Sequence, residues 1–137
     1  MSRAEAISQF NDALKQGRKY YSACVAKGVS PYPQVLDEIM DDTAVETAKI
    51  GLVDIPADRI VGTWTGGRKT AFAGNFMPLL DMNTEFGNKW VNLCEAHLSD
   101  GGIPDPITCI EYLGNFYVQE GNKRVSVLKS YAAPSIP

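Results

Sequence analysis

The sequence contains few of the residues that build metal sites and disulfide frameworks. Its 137 residues include one histidine, His97, and three cysteines, Cys24, Cys94 and Cys109. No CxxC or HxxxH spacing occurs, which argues against a zinc site, and an odd number of widely spaced cysteines argues against a disulfide framework. We expect the thiols to be small core residues in a reducing compartment. His97 falls on the apolar face of a predicted helix, where a core role is the default.

The sequence also lacks an excess of positive charge and a long apolar run. Its formal net charge is -3, which argues against a surface that binds nucleic acid non-specifically. No apolar stretch approaches the length of a membrane span, and the opening residues MSRAE lead into a polar, periodic segment and not into a signal peptide. We therefore expect a cytoplasmic protein with no membrane partner.

The remaining composition, 45% hydrophobic and 21% charged, is typical of one globular domain with a real core. A capping box at Ser2 and Glu5 and apolar residues at helical spacing predict helices over residues 3–27, 84–98 and 122–132. Segments rich in β-branched and aromatic residues predict strands within 45–61, 106–112 and 116–120, with a turn at Gly114 and Asn115 joining the last two. The predicted fold class is α+β, a small mixed β-sheet packed by helices.

One short motif points to chemistry. Gly121, Asn122, Lys123 and Arg124 stand between the last predicted strand and the last predicted helix. A helix N-terminus presents backbone N–H groups and the positive end of the helix dipole, and glycine lets the backbone come close to a ligand, so this pattern can hold an anion. The alternative is a strand-turn-helix corner with solvated charges, since glycine followed by basic residues is common in turns.

The order of the motifs resembles the ParB/sulfiredoxin-like superfamily, which includes ParB N-terminal domains, sulfiredoxin and a free-serine kinase. The matching pieces are Ile55-Pro56 to Ile60, Arg68 in the following loop, the helix ending at Leu98, Gly102 to Ile107, and Gly121 to Arg124. The resemblance makes residues 1–44 an N-terminal helical extension and residues 45–137 the core. A new extended segment begins at Ser135, so we expect a domain truncated at its C-terminus from a longer protein.

The resemblance implies a site that binds a nucleotide or another phosphorylated small molecule. Arg124 would be the main cation, and Arg68 either a second one or an ordinary surface residue. The other implied contacts are close backbone approach at Gly121, the N–H groups of Asn122 and Lys123, and the backbone near Gly102. The DNA-reading domain of ParB proteins would follow this region, so DNA binding is not implied. Sulfiredoxin chemistry needs a cysteine where this chain has Asn122, which excludes that activity.

Three functions remain open. The first is a nucleotide-binding switch or sensor within a larger protein. The second is a nucleotide hydrolase or phosphotransferase in which Glu120 or Glu111 acts beside the phosphate; a carboxylate there implies a nucleotide with Mg²⁺ to offset charge repulsion, although no resident metal site is predicted. The third is a ligand-free interaction module in which Arg124 forms a salt bridge to Glu120 or Glu111.

Overall fold

A computed structural model describes residues 2–39, 51–64, 66–99 and 106–137, with the backbone alone for Ser2 and residues 67–69. The helices in this part of the chain are α1 (Ser2–Lys27), α2 (Leu36–Ile39), α3 (Glu85–Leu98) and α4 (Asn122–Ser130). The strands are β1 (Gln34–Val35), β2 (Ile55–Pro56), β3 (Ile60–Thr63), β4 (Thr108–Tyr112), β5 (Asn115–Glu120) and β6 (Ser135–Ile136). Two 3-10 helices, Ala57–Arg59 and Gly66–Ala71, lie before and after β3.

The strands form a mixed four-stranded sheet in the order β1-β3-β5-β4 and a small two-stranded sheet of β2 and β6. β3 runs parallel to both β1 and β5, whereas β4 and β5 form an antiparallel hairpin. Parallel neighbours need a crossover between them, and α3 lies in the connection from β3 to β5. The α+β class and the small mixed sheet are therefore confirmed.

The described helices and strands differ from the predictions mainly at their ends. α4 ends at Ser130, two residues earlier than predicted, and β1 was not predicted at all. Of the predicted strand over 45–61, residues 45–50 lie outside the described residues, and the rest contains β2 and the beginning of β3. The extended segment at Ser135 is β6, which pairs antiparallel with β2.

The turn of the β4–β5 hairpin lies one residue earlier than predicted. Asn115 pairs with Tyr112, so the two loop residues are Leu113 and Gly114, with φ of +53° and +85°. A two-residue hairpin loop matches the right-handed twist of the strands when both of its φ angles are positive. Glycine adopts a positive φ readily, which favours it at the second loop position. The prediction of a Gly114–Asn115 turn was wrong by this one position.

Two hydrophobic clusters form the core, one among the helices and one between α4 and the strands. The first joins α1, through Ala6, Phe10, Ala13 and Leu14, to Phe86, Trp90, Val91 and Cys94 of α3. The second includes Ile55, Ile60, Phe76, Val118, Val125 and Ile136. The predicted N-terminal extension thus supplies α1 to the first cluster.

α4 is anchored in both clusters, because Val127 belongs to the first and Val125 to the second. The indole Nε1 of Trp90 also donates a hydrogen bond of 2.8 Å to Ser126 Oγ, and both residues are fully buried. These contacts fix the position of α4, and therefore of its N-terminus, relative to α3. None of the helices in the described ranges is both long enough and apolar enough to cross a bilayer.

Candidate phosphate site

The site begins where β5 ends and α4 starts. Gly121 lies between them in a left-handed conformation, with φ +108° and ψ +27°, and acts as the N-cap of α4. No side chain in the described part of the chain caps this helix end, and the first turn contains no acidic residue. The first N–H groups of an α-helix have no partners within the helix, so this terminus carries partial positive charge. The local backbone geometry is therefore that of an anion-binding helix start.

The glycine is required here by packing as well as by backbone conformation. A Cβ atom at position 121 would lie 2.8 Å from Ile107 Cγ2, closer than such atoms approach in proteins. Residues with side chains also rarely adopt so positive a φ. Both reasons hold without a ligand, so Gly121 alone does not establish a binding site.

A cleft of about 560 Å³ lies against this corner, and we call it the α4 cleft. Residues 119–124 form one side of it. The opposite side comes from α3, through Phe86, Lys89, Asn92 and Leu93, and from Phe72. Four of the predicted phosphate-site residues, Gly121, Asn122, Lys123 and Arg124, thus line one cleft together.

Three cations line the α4 cleft. Lys89 forms an ion pair of 2.9 Å with Glu85 one turn earlier on α3. Lys123 Nζ lies 5.7 Å from the centroid of the Phe86 ring, within the range of a cation–π contact. With Arg124 they give this lining more positive than negative charge, since Glu120 is its only carboxylate among the described residues.

Arg124 holds the start of α4 to the segment before β4. Its Nη1 donates a hydrogen bond of 2.8 Å to the backbone carbonyl oxygen of Pro106. A guanidinium is a planar fork of N–H donors, so this bond helps to fix the orientation of the whole group. The bond shows a structural role for Arg124 that differs from the predicted salt bridge to Glu120 or Glu111.

Asn122 contributes a feature that the sequence did not predict. Its side-chain Oδ1 is buried and has no hydrogen-bond partner among the described residues, although Asn122 lines the α4 cleft. A buried acceptor without a partner costs about 1–3 kcal/mol, which a donor from a ligand or from water would offset. From the sequence, only the backbone N–H of this residue was predicted to bind a ligand.

The other predicted site residues are distributed as follows. Glu120 is exposed and lines the α4 cleft. Glu111 lies on β4 opposite Phe116, and the described lining of the cleft does not include it. Arg68 lies on the 3-10 helix Gly66–Ala71 with its side chain outside the description, and Gly102 lies outside the described residues.

The contribution of α3 to the cleft was not predicted from the sequence. Lys89, Asn92 and Leu93 are three and four residues apart, so they share one face of the helix. That spacing was visible in the sequence, but only the packing of α3 against α4 shows that this face borders the corner at Gly121.

The cysteines and the histidine take no part in this site. Cys24 and Cys94 are buried, and burial raises the pKa of the Cys94 thiol. Burial also raises the pKa of Cys109 to about 11, so this thiol stays protonated and is a poor nucleophile. The His97 ring packs 4.9 Å from the Tyr131 ring, and the described residues contain no group of three His, Cys, Asp or Glu side chains that could hold a metal ion.

Comparison of the chain with protein-family models, with characterised proteins and with solved structures gave no match. The resemblance to the ParB/sulfiredoxin-like superfamily therefore stays a prediction from the order of its motifs.

Proposed function

We propose that the α4 cleft binds a phosphorylated small molecule, with a nucleotide as the ligand class and its phosphate at the N-terminus of α4. The observation that carries the proposal is the convergence of Lys89, Lys123 and Arg124 on a helix start that has no acidic residue in its first turn. Backbone N–H groups and the helix dipole favour an anion at such a terminus. Arginine and lysine side chains add charge-assisted hydrogen bonds to phosphate oxygens.

The lining of the cleft favours a nucleotide over inorganic phosphate. Phe72, Phe86 and Leu93 give it an apolar part beside the cations, where a base or a ribose would lie. The volume of about 560 Å³ falls within the range of small-molecule sites. Asn122 Oδ1, buried and without a described partner, would accept a hydrogen bond from a hydroxyl or amino group of the ligand.

Within this proposal, the order of the motifs supports a ParB-like switch or sensor in a larger protein. A second candidate, phosphoryl transfer or nucleotide hydrolysis, is favoured by Glu120, whose carboxylate lies in the same cleft as Arg124. A carboxylate near a phosphate would need Mg²⁺ between them, so this candidate predicts Mg²⁺-dependent binding followed by turnover.

A thermal-shift series tests the proposal, because a ligand that binds only the folded state raises the unfolding midpoint. The ligands are CTP, ATP, GTP, ADP and inorganic phosphate at millimolar concentration, each with and without Mg²⁺. At a concentration 100 times its Kd, a ligand stabilises the fold by about 2.7 kcal/mol. A selective shift for one nucleotide is the expected result, and any that binds is then assayed for phosphate release.

Two substitutions test whether the ligand binds in the α4 cleft. Arg124→Ala and Lys123→Gln each remove a charge from the α4 cleft, and a lost charge-assisted hydrogen bond of about 1.5–3 kcal/mol raises the Kd about 10- to 150-fold. Lys19→Gln removes a charge from the exposed surface of α1 and is the matched control. Stabilisation that survives in both cleft variants, or no shift with any ligand, would favour the interaction module, with residues 121–124 as a structural corner.

A further inference from the structure

Asn122 places a buried hydrogen-bond acceptor in a cleft whose other features favour an anion. Its Oδ1 is buried and has no partner among the described residues, and the residue lines the α4 cleft. Lys89, Lys123 and Arg124 line the same cleft, and the first backbone N–H groups of α4 are donors as well. An anion bound here would therefore meet several donors and, at Asn122, one acceptor that needs a donor from the ligand.

The position of Asn122 indicates which part of the ligand would face this acceptor. Asn122 is the first residue of α4, directly after the N-cap Gly121. An anion at a helix N-terminus is bound by the N–H groups of this first turn, so we expect phosphate oxygens beside the Asn122 side chain. An unprotonated phosphate oxygen has only lone pairs and cannot pair with an amide carbonyl oxygen. A P–OH group can donate to it, so this acceptor favours a phosphate that keeps a proton.

The charges around the cleft favour the protonated phosphate in the same way. The carboxylate of Glu120, the last residue of β5, lines the cleft and repels a dianion more strongly than a monoanion. The other charged groups of the described lining are Lys89, which is ion-paired with Glu85 at 2.9 Å, Lys123 and Arg124. That lining contains no histidine or cysteine, so near neutral pH we expect the ligand to be the group that titrates.

We propose that the α4 cleft binds a phosphate group that carries a proton, and that Asn122 Oδ1 accepts the hydrogen bond from this P–OH group. The inference rests on the proposed function and narrows its ligand class to molecules bound through a terminal phosphate. A phosphomonoester has a second pKa of about 6 and keeps this proton below it. Sulfate and phosphodiesters have no such proton near neutral pH, so the site should discriminate against both.

Competition between phosphate and sulfate tests the proposal on the unmodified protein. At pH 8 hydrogen phosphate and sulfate have the same charge and similar size, but only phosphate has a proton to donate. Amide chemical shifts of residues 121–125 in the ¹⁵N-labelled protein give both Kd values at constant ionic strength. A hydrogen bond to a charged group corresponds to about 10- to 150-fold in Kd, so phosphate should bind at least about tenfold more tightly.

Two results of this titration would overturn the proposal in different ways. Equal Kd values for phosphate and sulfate would refute the P–OH contact and leave the phosphate site in place. No shift of these amides with either anion, and none with a nucleotide, would refute the phosphate site and this inference with it.

The pH dependence for methyl phosphate is a second test, because this monoester loses its proton near pH 6. The proposal requires the monoanion, whose share falls about eightfold between pH 6.5 and 7.5, so the Kd should rise by about that factor. A site made only of cations and N–H groups would bind the dianion more tightly. A Kd that falls or stays constant over this range would therefore overturn the proposal.

Asn122→Ala removes the acceptor, and Asn92→Ala is the matched control. Asn92 lines the same cleft, but its Oδ1 already accepts a hydrogen bond of 2.6 Å from Arg3 Nη1. The preference for phosphate over sulfate should fall to about one in Asn122→Ala and persist in Asn92→Ala. Because Asn122 Oδ1 has no described partner, Asn122→Ala should not lower the unfolding midpoint of the free protein. A preference that persists in Asn122→Ala would assign it to another group and overturn the proposal.

Discussion

Substitution of Gly121 by alanine tests the geometry of the corner that begins α4. The new Cβ would lie 2.8 Å from Ile107 Cγ2 and 3.2 Å from Ile107 Cβ, in a backbone conformation with φ +108°. The backbone can relieve the overlap only by shifting α4 or the segment around Ile107. Because α4 is held by Val125, Ser126 and Val127, all fully buried, neither shift is easy.

The loss in free energy of unfolding that we expect for Gly121→Ala has two parts. An alanine at so positive a φ costs about 1–2 kcal/mol, and a methyl group forced against a packed side chain costs about 1–3 kcal/mol. The sum, about 2–5 kcal/mol, would lower the Tm of a domain of this size by about 8–20 °C.

Urea unfolding followed by tryptophan fluorescence measures this loss, and Gly51→Ala is the matched control. Gly51 has a similar φ of +103°, but a Cβ there would meet no atom of the described residues within 4 Å. Gly51→Ala should therefore cost only the backbone part, about 1–2 kcal/mol. Equal destabilisation by the two variants would refute the contact with Ile107.

A double-mutant cycle isolates the contact itself. Ile107→Ala removes Cγ2, the atom nearest to the new methyl group, so Gly121→Ala should cost less in that background. We expect a favourable coupling of about 0.5–2 kcal/mol, as for residues in contact. Additive free energies would contradict the packing described for this corner.

Three further predictions concern the fold. Ser126→Ala leaves the buried indole N–H of Trp90 without its acceptor and should lower the free energy of unfolding by about 1–3 kcal/mol in denaturant melts; an unchanged midpoint would contradict the bond. Leu113→Asn replaces an 85% exposed leucine at φ +53° by a residue that tolerates this conformation, and it should raise the same free energy by about 0.5–1 kcal/mol, whereas a loss would refute the turn assignment. The pKa of Lys129 is lowered from 10.5 to about 8 in the folded state, so the folded protein binds fewer protons than the unfolded chain between these values. Relative to Lys129→Met, the wild-type free energy of unfolding should be constant below pH 8 and rise by about 1–3 kcal/mol between pH 8 and 10.5; a flat difference would show an ordinary lysine.

The helices could be predicted from the sequence because their signals are local. The apolar residues of α1 and α3 repeat at helical spacing, and Thr84 caps α3 by accepting a hydrogen bond of 3.1 Å from Gly87 N, at the boundary that the pattern indicated. The hairpin of β4 and β5 was predicted within a residue of its position, because strand and turn residues are adjacent in sequence.

The features that could not be predicted from the sequence depend on contacts between distant parts of the chain. β1 has two residues, too few for a periodic pattern, and it forms a strand only because β3 lies beside it. Gly62 of β3 allows this approach, since a Cβ there would overlap the carbonyl oxygen of Gln34. The sequence marks a glycine at this position but does not indicate which backbone comes close.

The candidate site, too, could be predicted only where its residues are neighbours in the sequence. Residues 121–124 could be selected from their own sequence, because a glycine, two bases and a helix start are neighbours in the chain. Lys89 could not, since it reaches the same cleft from a helix more than thirty positions earlier in the chain. Lys129 looks like an ordinary solvated base in the sequence, and only its packing against Ile60 and Phe76 shows otherwise.

A phosphate group bound at the N-terminus of α4 would perturb the backbone amides of that helix start. The most direct test is a titration of the ¹⁵N-labelled protein with the nucleotide that gives the largest thermal shift, or with ATP and CTP in turn if none does, followed by amide chemical shifts. We expect saturable shifts that are largest at residues 121–125 and on the facing side of α3 around Lys89, and that are lost in Arg124→Ala. Saturable shifts centred elsewhere, or none at these amides at millimolar nucleotide, would contradict it.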